Sequence, residues 1–246
     1  MINDVRNIVL SILNKENRGY VTPMEFNLYA KQAQLDIFEN YTFLYSNAIN
    51  KQNARLHGEG YADIPKNLGE VIDLFSEKSV LSYNTVTGYY TVPDDYYFLE
   101  KLLYNNSKEI EKVSHRKINY LINSNLTAPT TAYPVYTLEN DGILVYPNSI
   151  IPPFPTPPVP VILTSTQITA QYVRYPKDPN WTYSSINTGD PVFNPSAAGY
   201  QDFELPNSDF ANLVVKILYY SGVQIREEQV TAAAKGEEVQ DAQQKQ

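Results

Sequence analysis

Cysteine is absent from the 246 residues. Its absence excludes disulfides, thiolate metal sites and thiol nucleophiles, and suits assembly in a reducing cytoplasm. Histidine is almost as scarce. His57 and His115 are the only two; they stand far apart and in no HExxH-like spacing, which excludes a His-rich metal site and argues against a His-based triad. No stretch approaches the ~20 apolar residues of a membrane span. The opening residues, "MINDVRNIVLSILNKENRG", lack the basic leader and unbroken apolar core of a secretory signal. Positive charge is short as well: 19 Lys and Arg against 27 Asp and Glu leave a net charge of -8, the opposite of what a general nucleic-acid binder needs. A glycine-rich phosphate cradle is missing, since "GEG" at 58–60 has neither a downstream Lys nor a strand-to-helix setting. There is no GxSxG nucleophile elbow either.

What is present is the material of a folded protein. The hydrophobic fraction is 43 % and the charged fraction 19 %, and a chain of this size buries roughly 70 to 75 % of its surface on folding. The aromatics are skewed, with 21 Tyr against 9 Phe and 1 Trp. Tyrosine buries a ring while keeping a wet hydroxyl, which suits surfaces that become interfaces.

Helical periodicity opens the chain. Val5, Ile8, Val9, Ile12 and Leu13 recur at three-four spacing after Asn3, a possible cap, and Gly19 marks the end. A second helix starts at "VTPMEF": Thr22 is placed to cap, Pro23 sits where its missing N–H costs nothing, and Glu25 completes a capping box. Phe26, Tyr29, Ala30, Ala33, Ile37, Tyr41 and Leu44 form its apolar stripe, with Leu28, Leu35 and Phe38 partly off it. A helix apolar over more than one face needs more than one neighbour. A short helix is expected at 66–76.

The pattern then changes to strands. Residues 79–83 and 88–92 flank "NTVTG", 97–104 and 108–113 flank "NNS", and 133–138 and 143–146 flank "ENDG", where Asp141-Gly142 signals a hairpin. Ser114 would cap a helix at 115–123, and "ITAQYVRY" at 168–175 reads as a further strand. Residues 152–160, "PPFPTPPVP", hold six prolines in nine positions, favouring an extended conformation excluded from sheet interiors. Residues 176–206 are long, weakly periodic and punctuated by proline. Ser208 can cap a last helix carrying Phe210, Leu213, Val214, Ile217 and Leu218 up to Gly222, followed by a polar tail.

These elements predict an α+β fold: an N-terminal helical hairpin and a C-terminal helix packed together, with an inserted antiparallel β region and a Pro-rich loop. Residues 1–76 plus 207–246 would form the helical domain. Residues 77–206 would form the β region, with the Pro-rich loop at 150–164 and an extended arm at 176–206. Chemistry is sparse. Asp94-Asp95 reads as a turn closing a strand rather than a paired-carboxylate site, and His115-Arg116-Lys117 as a solvated basic cluster. No catalytic, cofactor-binding or metal-ligating residue is assigned, and the chain does not read as an enzyme.

"RGYVTPMEFNLYAKQAQLDIFENY", "VYPN" at 145–148, "YVRYPKDPNW" at 172–181 and "QDFELPNSDFANLVVKILYYSGVQIREEQV" at 201–230 resemble the head-to-tail connector ring proteins of tailed phages. The likeness is to crAss-like phages and related short-tailed phages of Bacteroidetes, and to podovirus adaptor (tail tubular) proteins. It covers most of the chain, and the Thr-Pro-x-Glu-Phe helix start is its most specific part. The resemblance implies a virion structural protein, assembled in the host bacterial cytoplasm. It would form a homo-oligomeric ring of about twelve subunits that docks under the portal protein, extends the DNA channel and receives further tail ring or hub proteins. Viral DNA would pass through the lumen without sequence-specific binding, and neither a membrane nor a cofactor is involved. Interface candidates are Phe26, Tyr29, Phe38, Tyr41, Pro153, Phe154, Pro158, Trp181, Ile225, Val230 and Val239. The helix over 21–45 would pack subunits together, and residues 150–164 and 222–246 would reach the portal or other rings. The alternative reading is a tail-associated receptor- or carbohydrate-binding module, using exposed tyrosines over the sheet. A peptidoglycan hydrolase is the weakest reading, for want of an acidic pair in a recognisable setting.

Overall fold

A computed structural model describes residues 1–15, 21–53, 64–140, 142–150, 162–185 and 191–225, with 14–15, 51–53, 64–65, 162–166 and 223–225 described by their backbone alone. In chain order the elements are α1 (Ile2–Lys15), α2 (Pro23–Asn53), α3 (Ile64–Asp73), β1 (Ser76–Asn84), β2 (Tyr89–Thr91), β3 (Tyr96–Tyr104), β4 (Lys108–Lys112), α4 (His115–Ile122), β5 (Val135–Glu139), β6 (Gly142–Tyr146), β7 (Ile162–Arg174), β8 (Tyr183–Ser185), β9 (Pro191–Phe193) and α5 (Phe210–Ile225). The chain divides into two compact units, Met1–Val71 with Pro176–Gln246, and Ile72–Tyr175. Residues 176–206, read above with the β region, cluster with the helices.

The first unit is helical, but not the arrangement expected. The helix pairs that pack are α2 with α5 and α1 with α5; α1 and α2 do not pair as a hairpin. The reason lies in α5, whose buried Leu213, Val214 and Ile217 give it the apolar surface that both N-terminal helices need. Around it are buried Ile2, Val5, Val9 and Leu13 of α1 and Phe26, Ala30, Ala33, Ile37 and Phe38 of α2. Each such side chain contributes roughly 1.5 to 3 kcal/mol on leaving water, and less for alanine. The capping box forms as its spacing requires: Glu25 N–H donates to Thr22 Oγ1 at 3.3 Å, and Thr22 N–H and Oγ1–H both donate to Glu25 Oε2 at 2.8 Å. Ser208 does not cap the last helix; it sits inside a 3-10 turn at Asn207–Asp209, and α5 runs through Gly222 to Ile225.

The second unit overturns the expected purely antiparallel inserted region. It is a closed seven-stranded barrel in the order β1-β2-β6-β5-β4-β3-β7. Closure comes from β7, which pairs antiparallel with both β1 and β3. One pair, β4 with β5, is parallel. Parallel neighbours cannot be joined by a hairpin and need a crossover of a dozen or more residues, which α4 and its following loop provide. Bulges interrupt the registers at Val80/Ser82 in β1 and at Tyr96/Phe98 and Leu99/Lys101 in β3, bending the strands round the barrel. At the β5–β6 hairpin, Gly142 has φ 142°, and a Cβ there would lie 2.5 Å from the Tyr90 carbonyl oxygen. The close approach of β2 therefore admits only glycine. The interior holds Leu81, Tyr83, Tyr90, Leu102, Ile110, Tyr136, Ile143, Val145, Ile168, Ala170 and Tyr172.

Candidate functional site

In the first unit, three of the expected interface residues prove to be interior. Phe26, Phe38 and Trp181 are all buried in their own unit, where the chain's own packing uses them. Trp181 organises the segment around it. Its indole N–H donates to Asn3 Oδ1 at 3.1 Å, its backbone N–H donates to Asn27 Oδ1 at 2.9 Å, and the Arg6 guanidinium lies 3.8 Å from the ring centroid. Tyr183 and Phe193 stack on it with centroids at 5.8 Å. Within the expected extended arm, β8 and β9 pair antiparallel, and the indole packs against both.

Tyr41 is half-buried and donates to Asp209 Oδ2 at 2.6 Å; burial and then this bond push its phenol well above the usual range. Tyr29 is half-buried too. Ile225 ends α5 and is described by its backbone only, while Pro153, Phe154, Pro158, Val230 and Val239 lie outside the described residues, as does His57. What α2 does present is other apolar side chains. Met24 is 77 % exposed and Leu28 59 %, on the side of the helix away from Phe26, Ala30, Ala33 and Ile37, and Phe43, on a flank further along, is 63 % exposed.

In the second unit, polar groups gather where α4 begins. Glu139, at the end of β5, accepts the Tyr89 hydroxyl at 2.9 Å and the Thr137 hydroxyl at 3.4 Å, and His115 Nδ1 lies 3.1 Å from its Oε1. This clasp ties β2, β5 and the start of α4 together. Asp94 and Asp95 lie in the β2–β3 turn, where the Asp95 carboxylate accepts the Tyr172 hydroxyl at 3.1 Å and its carbonyl accepts the Tyr175 N–H at 2.7 Å, so the turn reading accounts for them. Among the described residues, no group of three or more His, Asp and Glu side chains could hold a metal ion.

Helix α4 sits in place through Ile118, buried against Val113 and Val135. Ser114 precedes it in extended conformation, but its hydroxyl makes no cap bond; its carbonyl accepts the Lys117 and Ile118 N–H groups at 2.9 and 3.2 Å. The opposite side of α4 is outward. Arg116, Asn119, Tyr120 and Asn123, with Ser124 just beyond, line a shallow cavity of about 390 Å³. Only Arg116 of these had drawn notice in the sequence. The signal was legible nonetheless: residues 113–138 contain no Asp or Glu in a chain that carries 27 of them.

No protein-family model matches the chain, and no curated protein matches it in sequence.

Proposed function

We propose that the chain is a virion structural protein that forms a ring in a phage head-to-tail connector, docked on the portal and receiving further tail proteins. The observation that carries this reading is the exposed apolar surface of α2. Met24 and Leu28, one turn apart, are large, apolar and exposed on the side opposite the face already packed inside its unit, and Phe43 is exposed further along the helix. Scattered exposed apolar residues need no explanation, but neighbouring ones on a helix whose other face is packed favour a protein partner. The resemblance to connector proteins gives that partner an identity, a further copy of the chain in a cyclic, heterologous assembly. The acidic balance, net charge -8, supports a channel wall along which DNA slides without sticking.

The test is mass determination with negative-stain imaging of the protein alone and mixed with its phage's portal. Closed rings or added density beneath the portal are expected, and Leu28→Glu should abolish both while leaving circular dichroism unchanged, since Leu28 is exposed. A monodisperse small particle indifferent to portal would overturn the reading.

A further inference from the structure

The outward face of α4 has a composition that helix formation does not explain. Exposed helix positions are ordinarily filled by strong helix formers such as Lys, Glu, Gln and Ala. Here Arg116, Asn119, Tyr120 and Asn123 occupy the face, and three of the four are only middling or poor helix formers. Their spacing, three or four residues apart, brings them onto one side. Tyr120 is 80 % exposed. None of these four side chains is engaged by a hydrogen bond, ion pair or ring contact with the described residues, so the fold does not use the groups it displays.

We infer that this face of α4 is a binding site for a carboxylate-bearing sugar. The Tyr120 ring offers an apolar plane for the C–H face of a pyranose, with a hydroxyl at its rim. Asn119 and Asn123 each present a donor and an acceptor side by side, matching adjacent sugar hydroxyls, and Ser124 adds a hydroxyl at the end of the groove. Arg116 supplies the planar fork that pairs with a carboxylate through two parallel N–H···O bonds. The cavity of about 390 Å³ lies at the small end of ligand pockets, roughly 300 to 1,000 Å³, enough for one or two sugar rings. No acidic residue occurs from 113 to 138, and the nearby Glu139 carboxylate is engaged by His115 and the Tyr89 hydroxyl. Nothing in this inference depends on the connector reading, because α4 belongs to the barrel unit and the exposed apolar residues of α2 to the other.

The experiment is ligand-observed NMR with the full chain, using a galacturonic acid oligomer, sialyllactose, the methyl-esterified galacturonate as the neutral counterpart, and a single-stranded oligonucleotide. A shallow, open groove predicts weak binding, with Kd near ~1 mM or somewhat below. At least one of the two acidic sugars should bind, and esterification or reduction of its carboxylate, Tyr120→Ala and Arg116→Gln should each weaken binding about tenfold. All substituted positions are exposed, so unchanged thermal unfolding checks that the variants remain folded. Failure of both acidic sugars at about 10 mM, binding indifferent to Tyr120→Ala, or tighter binding of the oligonucleotide through the same two residues would each overturn the inference.

Discussion

The two units handle aromatic rings in opposite ways. The helical unit buries the chain's single Trp at a junction, held by Asn3, Asn27 and Arg6. The barrel instead lines its interior with Tyr83, Tyr90, Tyr136 and Tyr172, all buried, with the Tyr83 and Tyr90 centroids 5.0 Å apart. At the barrel's surface Tyr120 and Tyr133 are 80 % and 81 % exposed. One residue type therefore serves as core filler and as display within the same unit. An excess of tyrosine in a composition cannot be read as surface alone, because a buried ring can still find a polar partner, as Tyr172 does in Asp95.

The largest effect should come from cutting each core at its centre. Trp181→Ala is expected to cost the helical unit about 3 to 5 kcal/mol, and Leu102→Ala to cost the barrel about 2 to 5 kcal/mol. Hydrogen exchange distinguishes them. The first variant should speed exchange at α1 and α5 amides while β1 and β7 stay protected, and the second should do the reverse. Equal acceleration in both units under either substitution would show that the two cores unfold as one.

Much of this arrangement was written locally and some of it was not. The Thr22–Glu25 capping box, the strands from 76 to 146 and the helix at 115–122 follow from short-range chemistry and lie within a few residues of expectation, whereas β7 starts six residues earlier than expected and β8 and β9 were not anticipated. Barrel closure depends on β7 choosing both β1 and β3 as neighbours, a decision between residues 64 to 97 positions apart that no local pattern records. The hairpin expectation for the N-terminal helices failed for the same reason, since α5 competes for their apolar faces from the far end of the chain. The stripe of α2 was legible, yet periodicity alone could not tell that Phe38 turns inward while Leu28 turns out. Trp181, named as an interface residue, sits among Asn3, Asn27, Arg6, Tyr183 and Phe193, a set that sequence spacing could not reveal. The α4 face escaped because its lining is polar and irregular in type, so the pattern lay in what was missing around it.

An intermediate effect sharpens the contrast at alkaline pH. The Tyr172 phenol is pushed up to about 12, first by burial and then by its bond to Asp95. A raised folded-state value means that the stability it contributes is complete below the unfolded value of about 10 and is lost as pH climbs through about 12. Tyr172→Phe should cost about 1 to 2 kcal/mol at neutral pH and flatten the barrel's loss of stability between those limits, read from protection of β1 and β7 amides against pH. A barrel whose alkaline loss is unchanged in the variant would place the titration on another residue.

The smallest effect lies at the acid end, in the helical unit. Burial alone would raise the Asp202 carboxyl, but hydrogen bonds from the Met1 ammonium, the Ile2 N–H and the Phe203 N–H outweigh it and hold the group below its ordinary value of 3.8. The bonds are short, 3.0 Å from the ammonium, 2.7 Å from Ile2 and 2.8 Å from Phe203. A depressed folded-state value means that the contribution is present above the unfolded value and disappears as pH falls through the folded one. Stability of the helical unit should therefore decline from about pH 5 downward, and Asp202→Asn should remove that part of the slope. The side chain is about a third exposed, so solvent screening limits the cost at neutral pH to about 0.5 to 1 kcal/mol. Exchange at the α1 amides, nearest the bonds that break, should show the loss first, whereas an acid slope identical in wild type and variant would mean that these bonds survive protonation or form only weakly in solution.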